Sequence, residues 1–395
     1  MALPTIQVRV AFTSDPFDAA PSWTDITHDV QNIYIKRGRQ TELNRMEAGT
    51  ARIRLKNFQG NYWPKNTSGP YTPNVLPGKK VNIRAVYGVT TYDLYTGFAE
   101  GWPPKWLSKM GGQGSLVTIN CADLIKNLSN YDLNTAGYAQ EASGTRVGNV
   151  LDDAGWPAGL RDLDAGNTTI IASGAIANVK AMAHLFVVQD SELGIIYLAG
   201  DGDVQFESRQ HRLASPHTIS QATFGDDLGE NFYHGLEPEY DDEFIFNDIR
   251  ITRSGGTQQT AGDAASVTTY GKRTHSKTGL LMTTDAEALD QADYKLKQYK
   301  DAALRARKLT ILGERDPDNL WPKLCGYDIS TRITLRLNQA DIDEDYFIEG
   351  IRHTIDIQNH KWVVSWQLSN ASEQMYWLMG TAGFSEMGET TWLGY

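Results

Sequence analysis

The stretch Ala51-Arg52-Ile53-Arg54-Leu55-Lys56 decides the fold class, because apolar and basic residues alternate along it with a period of two. Such alternation is typical of a strand with one face on a core and the other face in solvent. Working outward, the same period recurs in the runs that begin at Ile6, Ile33 and Val81. Proline and glycine residues interrupt these runs where turns are expected. The sequence therefore predicts a small antiparallel barrel or sandwich over residues 1–121.

Residues 122–237 change from strand periodicity to a mixture of helices and a hairpin. Three short helices are predicted, near residues 123–128, 145–154 and 176–189. Gly200-Asp201-Gly202 lies between two strand-like runs, which is a strong signal for a β hairpin. We interpret this part of the chain as a small α+β insert.

One long helix is predicted over residues 285–307, where apolar residues recur every three and four positions. Thr284 and Glu287 have the spacing of a capping box at its start. Residues 254–281, which precede it, are rich in Thr, Ser and Gly and predict an extended loop or a small subdomain.

Four strand-like runs follow, at residues 308–312, 329–337, 346–357 and 361–368, and they indicate a second β unit. The predicted fold class is a β-rich α+β, multidomain chain with two β units and inserted smaller α+β domains. The predicted segments are a first β unit at 1–121, an α+β insert domain at 122–237, a second β unit at 238–253 and 308–369, an inserted loop-plus-helix subdomain at 254–307, and a C-terminal docking tail at 370–395.

Bulk composition argues against several classes of protein. The net charge of −11 argues against a protein that grips nucleic acid through its phosphates, since that requires a basic face. The two cysteines, Cys121 and Cys325, are too few for a disulfide framework or a thiolate metal site. We see no signal peptide and no apolar run near the roughly 18 residues of a membrane helix. We therefore expect a product that is made in a cytoplasm and stays soluble or enters a large assembly there, without stable membrane insertion.

No pattern in the sequence predicts a catalytic, cofactor-binding or metal site. The eight histidines form no His-x-x-x-His or His-Glu-x-x-His arrangement, and neither Gly-x-Ser-x-Gly nor a Walker loop is present. Acidic clusters at 152–153, 239–243 and 341–345 leave two interpretations open. They could hydrolyse glycans as paired carboxylates, or they could be solvated acidic loops.

Basic residues gather in the first β unit, and they too have two interpretations. They could contact the acidic surface of a partner, or they could form the wet face of a one-sided sheet. The residues are Arg37, Arg39, Arg45, Arg52, Arg54 and Lys56.

Turn and strand motifs occur in a characteristic order at 23–27, 35–39, 48–51, 55–60, 62–64, 77–81 and 95–98. This order resembles the N-terminal part of the minor tail and tail-tip proteins of long-tailed bacteriophages. The later pattern of Asp263, Ser266, Tyr270-Gly271 and 346–351 with His353 resembles their hub domains. The residues that we take as the structural motif are Asp25, Arg37, Gly38, Gly49, Asn57, Gly60, Pro77, Gly78, Gly97, Tyr270 and Gly271.

The resemblance implies the fold of a baseplate hub, with two tail-tube-like β-barrel units and smaller α+β domains in one chain. It implies a homotrimer whose six barrels form the hub ring at the distal end of the tail, between the six-fold tail tube and three-fold tip proteins. The implied partners are a distal tail or tail tube protein, the tape-measure protein, and tail-tip or fibre proteins. DNA would pass through the channel without specific binding, and an acidic lumen would let it slide. The implied location is the tail tip of the virion, and the implied role is structural, with no enzyme activity and no cofactor.

Three other functions remain open on the sequence. A cell-wall hydrolase would require a catalytic module. A carbohydrate-binding receptor protein of the tail tip is suggested by aromatic residues near Trp102, Trp106 and the C-terminus. A distal tail ring protein would be a close relative of the hub, but it would form a hexamer.

Overall fold

The computed structural model describes residues 3–107, 114–240 and 242–371, together with the short strands at 376–377 and 392–393. The described strands up to residue 122 are β1 (Thr5–Val10), β2 (Thr24–Asp25), β3 (Val30–Gly38), β4 (Glu47–Lys56), β5 (Lys80–Tyr87), β6 (Thr90–Gly101), β7 (Pro104–Leu107) and β8 (Gly114–Ala122).

The middle of the chain alternates between helices and short strands. In order these are α1 (Leu124–Asn130), β9 (Asp132–Thr135), β10 (Glu141–Ala142), α2 (Ser143–Asp153), β11 (Arg161–Leu163), β12 (Thr169–Ile170), β13 (Ile176–Lys180), α3 (Ala181–Glu192), β14 (Ile195–Leu198) and β15 (Val204–Glu207).

The remaining elements return mainly to strands. They are β16 (Thr223–Phe224), β17 (Gly235–Glu239), β18 (Asp248–Arg253), β19 (Gln259–Gly262), α4 (Ala264–Tyr270), β20 (Thr274–Leu280), α5 (Asp285–Tyr299), β21 (Arg305–Ile311), α6 (Pro317–Gly326), β22 (Arg332–Leu337), β23 (Ile342–Asp356), β24 (Lys361–Asn370), β25 (Tyr376–Trp377) and β26 (Trp392–Leu393).

One sheet of 14 strands runs through both predicted β units. Its main path is β17-β21-β24-β23-β3-β4-β8-β6-β5-β1-β2, and β7, β16 and β22 attach beside this path. The two units meet where β23 pairs antiparallel with β3, from Gly350 opposite Gly38 to Asp356 opposite Asn32. The described strands form one shared sheet with no closed barrel, so the two barrel units stay a prediction. The β-rich α+β class is confirmed.

The period of two in β4 places its residues as predicted. Ile53 and Leu55 are completely buried, while Arg52 and Arg54 are exposed on the other face. The core beneath this sheet also contains Trp321, Trp362 and Trp366 from the second unit, so both units share one cluster of buried hydrophobic residues. Burying this apolar area is the main favourable contribution to folding, at roughly 25 cal/mol for each Å² removed from water.

The insert has a core of its own, in which α1, α2 and α3 pack around buried residues such as Val150 and Leu185. The predicted hairpin is present, because β14 and β15 pair antiparallel on either side of Gly200-Asp201-Gly202. The third predicted helix begins later than expected. Residues 176–180 form β13, which pairs with β9, and the helix then runs over α3.

A third, smaller core lies under α5, where Ile249 and Ile251 contact Ala288 and Ala292. The strand β18 belongs to this core and pairs with β19 and β20. This corrects the assignment of residues 238–253 as one piece of the second β unit, since only β17 joins the large sheet. The polar stretch at 254–281, expected to be an extended loop or a small subdomain, contains β19, α4 and β20.

Two further differences concern helices. The helix α5 ends at Tyr299, short of the predicted end at residue 307, and residues 305–311 form the strand β21. The helix α6 was not predicted. It has Pro317 in its first turn and Pro322 inside it, and the second proline hides its helical pattern in the sequence. Across the described ranges, no helix has the length and hydropathy needed to span a membrane.

Candidate functional site

Three of the motif glycines lie where strands approach too closely for any side chain. A Cβ on Gly38, which has φ of +87°, would lie 2.2 Å from the backbone oxygen of Glu349. A Cβ on Gly49 would lie 2.6 Å from Oδ2 of Asp123, the atom that accepts a hydrogen bond from the Gly49 N–H. A Cβ on Gly97 would lie 2.8 Å from the Ala122 oxygen. The first two contacts tie β3 and β4 to β23 and α1.

Asn57 stabilises the turn that follows β4. It is buried, its Nδ2 donates to Ser115 Oγ at 3.1 Å, and its Oδ1 accepts from the Tyr62 N–H at 3.0 Å. Asp25 acts similarly in another turn, where its Oδ1 accepts from the Thr27 N–H at 2.8 Å.

The remaining motif residues also lie in turns. Gly60 and Gly78 have φ of +71° and +82°, and Pro77 is exposed beside Gly78. Tyr270 and Gly271 end α4, which lies between the strands β19 and β20. These positions lie in separate turns among the described residues. The region around Gly38 differs from them, because it adjoins a cluster of interacting side chains.

Arg37 is the motif residue that reaches this cluster. Its side chain is 6% exposed, its Nη1 donates to the Leu198 oxygen at 3.0 Å, and it pairs with Asp328 at 2.9 Å. It therefore connects β3 of the first unit with the hairpin of the insert and with the segment before β22.

Glu349 of β23 is the centre of the cluster. Its side chain is 0% exposed, and it accepts from Arg39 Nε, Arg212 Nη1 and Ser369 Oγ, each at 2.6 Å. Burial raises the pKa of Glu349, but the guanidinium groups of Arg212 and Arg39 outweigh burial and hold it at about 2. A single carboxylate thus joins the first unit, the segment after the insert hairpin, and the second unit. We call this set Arg39, Arg212 and Glu349 the junction triad.

A second shell of polar groups surrounds the junction triad. Arg212 Nε donates to Ser330 Oγ at 3.0 Å, and Ser330 in turn donates to Glu207 of β15. Glu207 also accepts from the Tyr197 hydroxyl at 2.8 Å. These hydrogen bonds hold the buried charges in one arrangement.

Glu349 and Arg212 were not predicted as a site from the sequence, and Arg39 was expected either to contact an acidic partner or to lie on a solvent-exposed sheet face. The signal for Glu349 was a charged residue inside the apolar run 346–351, where an unpaired carboxylate would be very costly to bury. The basic group of the first unit is in fact divided. Arg37 and Arg39 are buried, and Arg45 pairs with Asp190 at 2.8 Å.

Arg52 and Arg54 line a groove on the opposite, polar face of the large sheet. The groove has a volume of about 1010 Å³ and is lined also by Lys105 and Lys361. No carboxylate in the described part of the chain forms an ion pair with any of these four cations. The chain is therefore acidic overall but carries a basic groove across strands of both β units.

The acidic clusters are mostly engaged with neighbouring arginines. Asp152 pairs with Arg161 at 2.8 Å, and Asp345 pairs with Arg332 of the adjacent strand at 2.6 Å. Glu243 accepts from Arg307 at 2.8 Å. The structure therefore gives these carboxylates a role in holding segments together. Across the described ranges, no group of three or more His, Cys, Asp or Glu residues is placed to hold a metal ion.

The sequence matches no family model and no curated protein. Solved structures do match. A tail protein from Neisseria meningitidis has a TM-score of 0.63 at 13% identity, covering 93% of this chain and 98% of that chain. The 43 kDa tail protein of prophage MuSo2 from Shewanella oneidensis has a TM-score of 0.58 at 13% identity, covering 94% and 98%. A chain of a PdpA–VgrG complex has a TM-score of 0.50 at 8% identity, covering 92% of this chain and 64% of that chain. The predicted resemblance is confirmed in its fold: this chain has the fold of phage tail proteins.

Proposed function

We propose that the chain is a structural protein of a phage tail and forms the hub ring at the distal end of the tail. The observation that carries this proposal is the likeness to two tail proteins, which extends over more than nine-tenths of this chain and 98% of each of them. Proteins that fill the same structural role in a tail are expected to resemble one another over most of their lengths. Its location would be the tail tip of the virion.

The shared sheet supports a trimeric ring. Each chain carries two β units side by side, and in the assembly we propose that each unit acts as a tail-tube-like β barrel. Three chains would then present six such units, matching a six-fold tail tube on one side and three-fold tip proteins on the other. The proposed partners are a distal tail or tail tube protein, the tape-measure protein, and tail-tip or fibre proteins, with DNA passing through the channel without specific binding.

We propose further that the chain is not an enzyme. The ion pairs made by Asp152, Glu243 and Asp345 support this, because carboxylates held by arginines of adjacent segments serve packing. The junction triad supports a structural role in the same way. It consists of buried charges that hold three parts of the chain together, and it presents no reactive group to a substrate.

The test is the mass and symmetry of the purified chain in solution. Native mass spectrometry should give three times the mass of the chain, and negative-stain images should show a three-fold ring with six lobes around an opening. Six copies would instead support a distal tail ring protein. A chain that stays monomeric in the presence of its tail tube protein, or that releases fragments from purified peptidoglycan, would contradict the proposal.

A further inference from the structure

A cavity of 130 Å³ lies where three parts of the chain meet. The segment after β3 forms one wall, the end of α3 with the hairpin of the insert forms the second, and β20 with α5 forms the third. The cationic side chains that line it are Arg39, Arg45, Arg209, Arg212, Lys277 and Lys295.

Three acidic residues of the described ranges line the cavity, namely Glu42, Asp190 and Glu207. Outside the lining, Glu349 pairs with Arg39 and Arg212, and Glu287 pairs with Arg209, so the cations that remain for the cavity are Arg45, Lys277 and Lys295. Asp190 is shared by two cations, Arg45 at 2.8 Å and Lys277 at 2.9 Å. Burial also raises the pKa of Glu42, which reduces the negative charge that it contributes.

Two lining groups have a buried nitrogen that bonds none of the described residues, a donor in Arg212 and, in His275, a ring nitrogen whose role depends on the tautomer. Arg212 is 5% exposed, and its Nη2 has no hydrogen-bond partner in the described ranges although its other nitrogens bond Glu349 and Ser330. His275 presents a buried Nε2 that likewise lacks a partner there. A buried donor without an acceptor costs about 1–3 kcal/mol, so an acceptor in the cavity would be strongly favoured.

Lys295 of α5 adds an ammonium group that forms no ion pair with a carboxylate in the described part of the chain. Burial and the nearby Lys277 lower the pKa of Lys295 to about 8, against an opposing effect of Asp190. The mutual repulsion of these cations is a cost that a negative ligand would relieve.

We propose that this cavity binds a small tetrahedral oxyanion such as inorganic phosphate. The volume of 130 Å³ equals that of about four water molecules at ~30 Å³ each, which suits an ion of this size. The forked donors of arginine and the ammonium groups of lysine match its oxygens through charge-assisted hydrogen bonds. The bound ion would link the first β unit, the insert and the subdomain under α5, and so act as an internal clamp.

The experiment is a titration of the full chain with sodium phosphate against sodium chloride at equal ionic strength, followed by thermal unfolding and by calorimetry. We expect a saturable rise in Tm with phosphate, because a ligand that binds only the folded state stabilises it. Sulfate should give the same response, since the recognised feature is a tetrahedral array of anionic oxygens.

The variant Lys295→Met keeps the aliphatic stem but removes the charge, and it should bind phosphate about tenfold more weakly or worse, as expected for losing one charge-assisted bond. Its fold should survive, because the change relieves repulsion among the cations. The control is Lys297→Met on the same helix, an exposed residue outside the cavity lining, which should bind as the parent does. An absent or non-saturable response to phosphate, or equal affinities in Lys295→Met and the parent, would mean that phosphate has no specific site in this cavity. Either result would overturn the proposal.

Discussion

Replacing Glu349 by Gln is expected to destabilise the protein more than any exposed charge replacement. The side chain is 0% exposed, and its two partners Arg39 and Arg212 are 8% and 5% exposed. Gln has nearly the same volume, so the change removes the charge and leaves two guanidinium groups buried without their counter-ion. Breaking a buried ion pair on one side typically costs about 3–5 kcal/mol. We expect a loss of this size in the free energy of unfolding.

Urea unfolding followed by tryptophan fluorescence is a suitable assay, because Trp321, Trp362 and Trp366 are all buried in the shared core. With a slope of about 3 kcal/mol/M, a loss of 3 kcal/mol would lower the midpoint by about 1 M. The matched control is Glu237→Gln, whose ion pair with Lys308 lies at the surface, with the carboxylate side chain 64% exposed. Exposed pairs contribute little, so its midpoint should stay at that of the parent.

The pH dependence of the free energy of unfolding tests the role of Glu349 independently. The pKa of Glu349 is about 2 in the folded chain and lies near 4.5 when the group is unperturbed. A depressed carboxyl pKa contributes stability that is complete above pH 4.5 and is lost as the pH falls towards 2, in this case about 3 kcal/mol. The parent should lose this part over that window and Glu349→Gln should not. Equal midpoints for Glu349→Gln and Glu237→Gln at neutral pH would refute the reasoning.

Two further outcomes are expected. Gly38→Ala should lower the Tm by an amount equivalent to more than about 1 kcal/mol, because φ is +87° at Gly38 and a Cβ there would lie 2.2 Å from the Glu349 oxygen. The control Gly174→Ala should leave the Tm unchanged, because no atom lies within 4 Å of a Cβ at that position. Equal Tm values for the two variants would show that β3 and β23 separate at little cost. Neither Cys121 nor Cys325 should react with Ellman's reagent in the native chain at pH 8, because both are buried and burial raises the pKa of each thiol. Both thiols should react once urea unfolds the chain. Fast labelling of the native chain would contradict their burial.

The features that local sequence predicts well are those that depend on neighbouring residues. The alternation in β4, the turn between β14 and β15, and the cap of α5, where Thr284 accepts from the Glu287 N–H at 3.2 Å, all follow from a few adjacent positions.

The features that local sequence did not predict depend on distant partners. The strand β18 has the pattern of any half-buried strand, and only its pairing with β19 and β20 assigns it to the smaller sheet. Arg37 continues the buried series of Ile33 and Ile35 in β3, whereas Arg52 and Arg54 alternate with the buried Ile53 and Leu55 and lie on the other face of the sheet. The period of two thus indicates the side of the sheet that a basic residue takes, but not the distant carboxylates that compensate its charge when that side is buried.

The pairing of β3 with β23 has a consequence during synthesis on the ribosome. The strand β23 is synthesised about 300 residues after β3. At a translation rate of ~5–20 residues per second, one edge of β3 therefore stays unpaired for roughly 15–60 s. An exposed strand edge is a template for pairing with a neighbouring nascent chain. Lys36 lies on this waiting edge, and a lysine there disfavours such mispairing. Slowed translation between the two strands should therefore convert native product into aggregate.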